Sequence, residues 1–438
     1  MSTSRGGSDV RSETTAALPP WQNRWVRILI VALLMYIISM IDRTNIAMAI
    51  PSMRVDLGLG RAAIGFATGT FFFGYVVLQI PAGRLSSVWS AKWVIFTLLI
   101  FWGAISASTA LVRTEGWLIA NRFMLGVAEG GVLTSTLVLI RNWFTRAERA
   151  RANTVFLMSL ALGSVIANPV SGLVLKLSTW QWMFVIEAIP CFVWAVFWAV
   201  AIADRPETAA WLPDAERRRL SAALATERAV EPPIAGHWTQ AIWNPAVLII
   251  AAYNFLALAA NWGVTIWLPS VLKQSGLSIV SVGWLSAIPY AAGAVAMMIV
   301  AFSSDKRMER KWHTVLMTAM SGVFLLLAQV SSASAIMMTL LLLTFSFACF
   351  FGRFGPFWAL PSEVLPAPVA GVGIAVINGV GNLGGFAGPF AFGAIRTATG
   401  SFALALALAG LVLIASAVVL LFLRMPGRQP IVAARPAA

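Results

Sequence analysis

Twelve long apolar stretches dominate this sequence, and each is about as long as an α-helix that crosses a bilayer. A crossing helix needs roughly 20 consecutive, mostly apolar residues. In lipid, only helices and closed barrels satisfy every backbone hydrogen bond, so apolar stretches of this length predict helices. The predicted spans cover residues 25–50, 62–84, 93–112, 117–140, 153–175, 183–203, 244–268, 282–303, 314–331, 335–358, 371–395 and 403–424.

The composition agrees with a membrane protein and excludes several soluble classes. Hydrophobic residues make up 59% of the 438 positions and charged residues only 11%, which is unlike the surface of a soluble domain. Cys191 and Cys349 both fall in apolar stretches, and His237 and His313 fall in predicted loops, so neither paired thiolates nor a zinc site is indicated. We expect no metal and no cofactor.

Motifs for nucleotide binding are also missing. No Gly-Lys-Ser/Thr sequence of a phosphate-binding loop is present, and the glycine pattern that begins at Gly58 joins two membrane spans and follows no strand. The sequence therefore predicts no enzyme and no ATP site. Transport by such a chain would have to be driven by a gradient.

One long polar interruption divides the spans into six and six. The predicted organisation is a cytoplasmic N-terminal tail, a first six-helix half, a cytoplasmic central loop, a second six-helix half and a cytoplasmic C-terminal tail, over residues 1–24, 25–203, 204–243, 244–424 and 425–438. Within the central loop, residues 213–220 predict a short, positively charged helix at the membrane surface. A division into two halves is typical of transporters whose substrate site lies between them.

The distribution of lysine and arginine predicts the orientation. With the N-terminus inside, 22 of the 31 basic residues lie in cytoplasmic loops and tails, six lie on the other side, and three lie within spans. By the positive-inside rule both termini are cytoplasmic. The net charge of +14 then faces lipid headgroups and requires no nucleic-acid partner. The first apolar run is long enough to be a retained anchor, and the alanine-rich, lysine-poor composition indicates a bacterial inner membrane.

Ionisable residues within the spans are the candidate functional residues. Asp42 and Arg43 lie in the first span, and Arg122 and Glu129 lie seven residues apart in the fourth. A charge at the centre of a membrane helix costs about 2.5 to 3.5 kcal/mol on insertion scales, so such residues usually mark a substrate or ion pathway. Spacing of seven puts Arg122 and Glu129 on one face of their helix, and an Asp42–Arg122 contact across helices is expected.

Several motifs together resemble the major facilitator superfamily and, within it, the anion:cation symporter family. They are residues 42–45 (Asp-Arg-Thr-Asn), 121–123 (Asn-Arg-Phe), 129–131 (Glu-Gly-Gly), 141–144 (Arg-Asn-Trp-Phe) and 378–386 (Asn-Gly-Val-Gly-Asn-Leu-Gly-Gly-Phe). The resemblance covers about residues 25–423. It implies a twelve-helix major facilitator fold and carriage of small organic anions such as sugar acids, tartrate or phthalate. In the loop after the second span, Ser87 stands where the superfamily has an acidic residue, which predicts a weakened cytoplasmic latch in the first half.

The motifs and the chemistry of their side chains predict roles for seven residues. Arginine offers a planar fork that matches a carboxylate, and buried carboxylates can gain and lose protons. The proton-coupling candidates are Asp42 and Glu129, and the substrate-binding candidates are Arg43, Arg122, Tyr75, Asn378 and Asn382. Trp262 and Trp358 are further candidates for substrate contact.

Structural interpretations remain open for some of these residues. Asp42 with Arg43 or Arg122 can be a purely structural ion pair, and the two asparagines can serve helix packing. Glu187 and Arg353 are lone charges nearer the predicted membrane boundaries and are interpreted as structural.

The predicted function is proton-coupled uptake of a small organic anion by a monomeric carrier. An apolar fifth-span segment, residues 157–162, favours a weakly hydroxylated ligand, such as a carboxylate or sulfonated carboxylate, including aromatic acids. The alternative is a proton-driven exporter of hydrophobic or drug-like compounds. Two arginines in the cavity favour the symporter.

Overall fold

The structure is a computed structural model that describes residues 19, 22–230, 242–328, 336–365 and 367–425. These residues form helices and connecting turns, with no β-strand among them. Residues 1–18, 231–241 and 426–438, which belong to the predicted tails and central loop, lie outside the described residues. The first half contains α1 Val31–Asp56, which continues a π-helical turn Trp25–Ile30, then α2 Arg61–Leu85, α3 Ala91–Ser108, α4 Glu115–Trp143, α5 Arg146–Leu177 and α6 Trp180–Ala201.

A connecting helix and the second half follow. The connecting helix is α7 Asp214–Val230, and the second half contains α8 Pro245–Lys273, α9 Ile279–Arg307, α10 Lys311–Ala328, α11 Ile336–Gly352, α12 Phe354–Val364, α13 Ala367–Thr399 and α14 Ala403–Leu421. Eleven stretches are long and apolar enough to cross a membrane, and one of them, Arg61–Leu111, holds both α2 and α3. The described residues thus contain twelve membrane-length helices, which confirms the predicted fold class.

Glycines allow the closest helix contacts within each half. A Cβ atom on Gly126 of α4 would lie 1.9 Å from the Phe71 carbonyl oxygen of α2. A close contact of the same kind in the second half joins α13 to α8, where a Cβ on Gly388 would lie 1.9 Å from the Ala259 carbonyl oxygen. Small residues of this kind let membrane helices pack backbone to backbone, which is how α4 packs on α2 and α13 packs on α8.

The two halves meet near the first turns of α2 and α9. A Cβ on Gly65 of α2 would lie 2.4 Å from the Pro389 carbonyl oxygen of α13, and one on Gly283 of α9 would lie 2.6 Å from the Asn168 carbonyl oxygen of α5. These contacts close the groove between the halves at that end of the bundle. In the predicted orientation it is the end that faces away from the cytoplasm.

The connecting helix is longer than the sequence predicted and packs against the first half. Helix α7 runs from Asp214 to Val230, because Leu220 and Leu224 are buried in the core of that half. Glu227 accepts hydrogen bonds from the Arg149 side chain at 3.3 Å and from the Arg146 backbone N–H at 3.0 Å. These contacts attach α7 to the start of α5.

Candidate functional site

Four polar side chains of α1 point to two different regions of the first half. Successive residues in an α-helix are about 100° apart, so the neighbours Asp42 and Arg43 leave the helix on different faces. Ser39 and Arg43, four residues apart, both contact Glu129 of α4. Asp42 and Asn45, three residues apart, instead reach α3 and α6.

Arg43 and Glu129 form a buried ion pair of unusual arrangement. Both Arg43 Nη2, at 2.9 Å, and Arg43 Nε, at 3.2 Å, donate to the same carboxylate oxygen, Glu129 Oε2. The Ser39 hydroxyl donates to that oxygen as well, at 3.0 Å. Glu129 Oε1 is buried and has no hydrogen-bond partner among the described residues. One carboxylate oxygen therefore holds the arginine, while the other is unoccupied and can accept a proton.

Two aromatic rings of α2 flank the Arg43 guanidinium. Its central carbon lies 5.3 Å from the ring centre of Phe71 and 4.8 Å from that of Tyr75. Ring faces stabilise a cation without neutralising it. Arg43 can therefore keep its charge when its ion pair with Glu129 is broken. Tyr75, which was predicted to offer its hydroxyl to a ligand, contacts Arg43 through its ring.

Arg122 is buried near the same region but has no acidic partner among the described residues. Its Nη2 donates to the Thr109 hydroxyl at 2.9 Å and, at 3.4 Å, to the Asn121 side-chain oxygen. In the described ranges its Nε has no hydrogen-bond partner, and the ring of Phe184 lies 5.3 Å from the guanidinium carbon. A buried guanidinium with an unused donor is suited to bind an anion.

The expected direct contact between Asp42 and Arg122 is absent, since no ion pair joins them in the described part of the chain, although they lie close enough for their charges to interact. Asp42 is 0% exposed and accepts hydrogen bonds from Trp102 Nε1 and Ser106 Oγ, each at 2.7 Å, and from Cys191 Sγ at 3.2 Å. Its position on α1 turns it away from Arg43 and into the interior between α3 and α6. These donors replace the arginine that the sequence suggested.

A small cavity between the two halves brings both arginines together. Its volume is about 10 Å³, room for about one water molecule. Its lining residues come from both halves and are Arg43, Ile46, Thr68, Phe71, Phe72, Arg122, Trp262 and Ile266. The polar part of the lining thus comes from the first half, while α8 of the second half supplies apolar surface through Trp262 and Ile266.

Comparison with known proteins agrees with this architecture. The family model described as Major Facilitator Superfamily matches residues 32–389. The chain belongs to the major facilitator superfamily. It is therefore a multi-pass membrane transporter rather than an enzyme.

Individual relatives support the organic-anion branch of this superfamily. A candidate tartrate transporter of Agrobacterium vitis is 34% identical over 405 residues, which is 91% of this chain and 93% of the relative. This similarity confirms the predicted resemblance to the anion:cation symporter family. A quinolone resistance transporter of Acinetobacter baumannii is 30% identical over 84% of this chain and 87% of its own length.

A solved structure shows the same fold. The Escherichia coli xylose transporter XylE, in an inward-open conformation, aligns with a TM-score of 0.74 and 15% sequence identity, over 91% of this chain and 96% of XylE. At this identity the similarity establishes the major facilitator fold alone.

The predicted substrate-binding asparagines of this major facilitator contact each other along α13. The Asn382 side-chain amide donates to the Asn378 backbone oxygen at 2.9 Å and to its side-chain oxygen at 3.2 Å. Both residues are half-buried. Asn254 of α8, which the sequence did not single out, makes the contact between helices, donating to the Ile377 carbonyl oxygen at 3.2 Å.

The loop after α2 lacks the charged contacts of its counterpart in the second half. The Ser87 hydroxyl donates to the Arg84 carbonyl oxygen at 2.7 Å, its one hydrogen bond to a described residue. After α9, Arg310 pairs with Asp305 and, at 3.4 Å, with Glu363. An acidic residue thus joins helices in the second half, while Ser87 makes a local bond only.

Proposed function

We propose that this transporter takes up a small organic anion together with protons by alternating access. The observation that supports this proposal is the one-sided ion pair, in which Arg43 and Ser39 share Glu129 Oε2 while Oε1 has no partner. A proton on Oε1 removes the negative charge that holds Arg43. The arginine is then free to bind an anion, so proton binding and substrate binding favour each other.

Arg43 and Arg122 are the proposed anion ligands. Both line the cavity, and a guanidinium binds a carboxylate or sulfonate through charge-assisted hydrogen bonds. Asp42 is the second proposed proton-coupling group, acting from outside the cavity. Tyr75, Asn378 and Asn382 keep their proposed substrate-binding roles for states in which the halves have separated around a ligand.

The cavity lining favours a small and weakly hydroxylated acid. Ile46, Phe71, Phe72, Trp262 and Ile266 form apolar walls around the two arginines. Such walls suit a hydrocarbon or aromatic body, and they leave sugar hydroxyls without partners. We therefore propose a carboxylate or a sulfonated carboxylate, including aromatic acids, as the substrate class.

The proposed setting follows from the distribution of charge. We place the carrier in the inner membrane as a monomer, with both termini, the central loop over 204–243 and the tails over 1–24 and 425–438 on the cytoplasmic side. The two halves are the segments 25–203 and 244–424. The groove is then closed on the outer side, where Gly65 meets Pro389 and Gly283 meets Asn168.

Purified protein in proteoliposomes tests this function. A panel of tartrate, phthalate, benzoate, glucarate and sulfoacetate is added outside, and the internal pH is followed with a trapped dye. Acidification by at least one acid, absent from liposomes without protein, supports proton symport. No acidification by any acid, together with no uptake of labelled acid, contradicts it.

The second candidate is a proton-driven exporter of hydrophobic compounds, which the similarity to a quinolone resistance transporter favours. The cavity's aromatic residues Phe71, Phe72 and Trp262 suit such compounds too. In the same liposomes an exporter of inverted orientation would accumulate a quinolone when the interior is acidic. Organic acids would then leave the internal pH unchanged.

A further inference from the structure

Glu187 of α6 is a membrane-buried acid that the proposed mechanism does not use. It was interpreted from the sequence as a structural charge near a membrane boundary. In the structure it is 4% exposed and lies seven residues from the start of α6 at Trp180, about 10 Å along the helix axis. It therefore lies well inside the first half.

The side chain of Asn45 connects Glu187 to Asp42. Its amide nitrogen donates to Glu187 Oε2 at 2.9 Å and, more weakly, to Asp42 Oδ1 at 3.4 Å. An amide nitrogen carries two hydrogens, so it can serve both carboxyl groups at once. Hydrogen bonds therefore connect the three side chains from α1 to α6.

Two hydrogen-bond acceptor atoms of these side chains have no donor among the described residues. Within the part of the chain that the structure describes, Glu187 Oε1 and Asn45 Oδ1 are both buried without a hydrogen-bond partner, in residues that are 4% and 1% exposed. Ser171 of α5 also approaches the Glu187 carboxyl, but its Oγ makes no hydrogen bond of acceptable geometry. Buried acceptors are normally satisfied. A hydrogen on Glu187 Oε1 would turn one of these acceptors into a donor.

The surroundings of the two acids decide which one carries the charge. Asp42 accepts from Trp102, Ser106 and Cys191 in addition to Asn45, whereas the geometry gives Glu187 one donor. Hydrogen-bond donors stabilise an ionised carboxylate, and a buried carboxylate without them or a cation is strongly disfavoured. The pair is therefore best described as an ionised Asp42 and a neutral Glu187.

On the helices packed around Glu187, the charged and titratable groups at this level lie on α1, α4 and α6. Asp42 and Arg43 lie on α1, Cys191 lies one turn further along α6, and Arg122 of α4 packs over the ring of Phe184. At this level α3 contributes the uncharged Trp102 and Ser106, and α5 contributes the uncharged Ser171. No basic side chain forms an ion pair with Glu187 in the described ranges.

We propose that Glu187 is a further proton-binding site, which the Asn45 amide connects to Asp42, and that its proton is exchanged during the transport cycle. Protonation forms one O–H bond at Glu187 Oε1 and neutralises the carboxylate, and release returns the proton to water. The exchange during transport rests on the proposed proton coupling. Binding of the proton at Glu187 does not.

Infrared difference spectroscopy on the full-length protein in lipid tests the binding step. The C=O stretch of a protonated carboxylic acid is separate from the bands of an ionised carboxylate. At neutral pH, we expect wild-type protein to show such a band that Glu187→Gln loses. The exposed residue Glu115 provides the control, Glu115→Gln, which should keep the band. A band that survives Glu187→Gln contradicts the proposal.

A second variant and a cation control keep this result interpretable. Asn45→Val removes a donor to Glu187 and should shift the frequency of the band without abolishing it, even if Glu187→Gln folds poorly. Replacing potassium chloride with sodium chloride should leave the band unchanged. Loss of the band in sodium alone would assign the site to a metal cation and overturn the proton assignment.

Transport in proteoliposomes tests the exchange step, with tartrate as the first probe. Glu187→Gln should lower the number of protons that enter per tartrate by one, while Glu115→Gln matches wild type. If Glu187→Gln loses the infrared band but the number of protons per tartrate does not change, the proton stays on Glu187 throughout transport, and exchange is refuted. If no acid of the panel moves protons in wild type, the proposed function and the exchange step fail, and the infrared band still decides whether Glu187 binds a proton.

Discussion

Arg43 donates two hydrogen bonds to a single oxygen of Glu129 and leaves the other oxygen without a partner. A parallel pairing would have used both oxygens and closed the carboxylate to protons. The observed arrangement keeps the arginine neutralised and the acid open to protonation. It gives the proposed coupling a definite atom, Glu129 Oε1, at which the proton enters.

Arg122→Lys should weaken anion binding without unfolding the protein. Lysine keeps the charge but loses the fork that allows two parallel hydrogen bonds. Losing one hydrogen bond to a charged group costs about 1.5 to 3 kcal/mol, so we expect Kd for a transported acid to rise roughly 10- to 150-fold. Calorimetric titration measures this change. Arg113→Lys, at an arginine that contacts only backbone oxygens of a turn, is the control, and equal affinities of the two variants would contradict an anion-binding role for Arg122.

Asp42→Asn should destabilise the first half. The amide has one acceptor oxygen in place of two, so it leaves unpaired at least one of the donors from Trp102, Ser106 and Cys191. An unsatisfied buried donor costs about 1 to 3 kcal/mol, which chemical unfolding in detergent can measure. Asp214→Asn, at an exposed position of α7, should change stability by less than about 1 kcal/mol. Equal unfolding midpoints for the two variants would mean that the Asp42 hydrogen bonds contribute nothing to stability.

Gly126→Ala should disrupt the contact between α2 and α4. The added Cβ would lie 1.9 Å from the Phe71 carbonyl oxygen, so the helices must separate, at a cost of about 1 to 3 kcal/mol or more. Because Phe71 also flanks Arg43, transport should fall as well. Gly116→Ala, with no atom within 4 Å of the new Cβ, should be neutral or stabilising by up to about 1 kcal/mol. A melting temperature of Gly126→Ala equal to that of Gly116→Ala would refute this packing.

Glu309, in the turn between α9 and α10, should stabilise the start of α10 in a way that is lost in acid. Burial by itself raises the pKa of this carboxyl, but hydrogen bonds from the Trp312 and His313 backbone N–H groups and the His313 ring outweigh it and lower the pKa below its usual range. A depressed folded-state pKa stabilises the fold above the unfolded-state value, and this contribution is lost as the pH falls through the folded-state value.

The stability difference between wild type and Glu309→Gln should therefore be present at neutral pH and disappear in acid. Melting temperatures of both proteins over a pH series measure it. Glu115→Gln, at an exposed position of α4, should show no such pH-dependent difference. A gap between Glu309→Gln and wild type that stays constant into acid would contradict the assignment.

Hydropathy alone predicts the twelve helices, because an apolar run of about 20 residues has one favourable arrangement in a bilayer. The candidate acids and arginines are also visible in the sequence, since charges within apolar spans are rare. The residues that contact these acids and arginines are not visible in the sequence. Asp42 and Arg43 are adjacent, yet a rotation of about 100° sends one to Trp102 and the other to Glu129.

Residues that act through tertiary contacts escaped the sequence analysis for the same reason. Thr109, which binds Arg122, carries no signal beyond its location at a helix end. Ser39 lies one turn before Arg43, a spacing that could have suggested a shared partner. Glu187 was visible as a charge, but its link to Asp42 passes through Asn45 of another helix, a contact that only the packed structure shows.

Proton-driven and exchange transport in Glu129→Gln proteoliposomes test the central claim most directly. Glutamine resembles the protonated acid and carries no negative charge to hold Arg43. With an acid that wild type transports, we predict that a pH gradient no longer raises uptake above the level without a gradient, while exchange of labelled for unlabelled acid continues. Wild-type uptake that persists in this variant, with internal acidification unchanged, would contradict Glu129 as the proton-coupling residue.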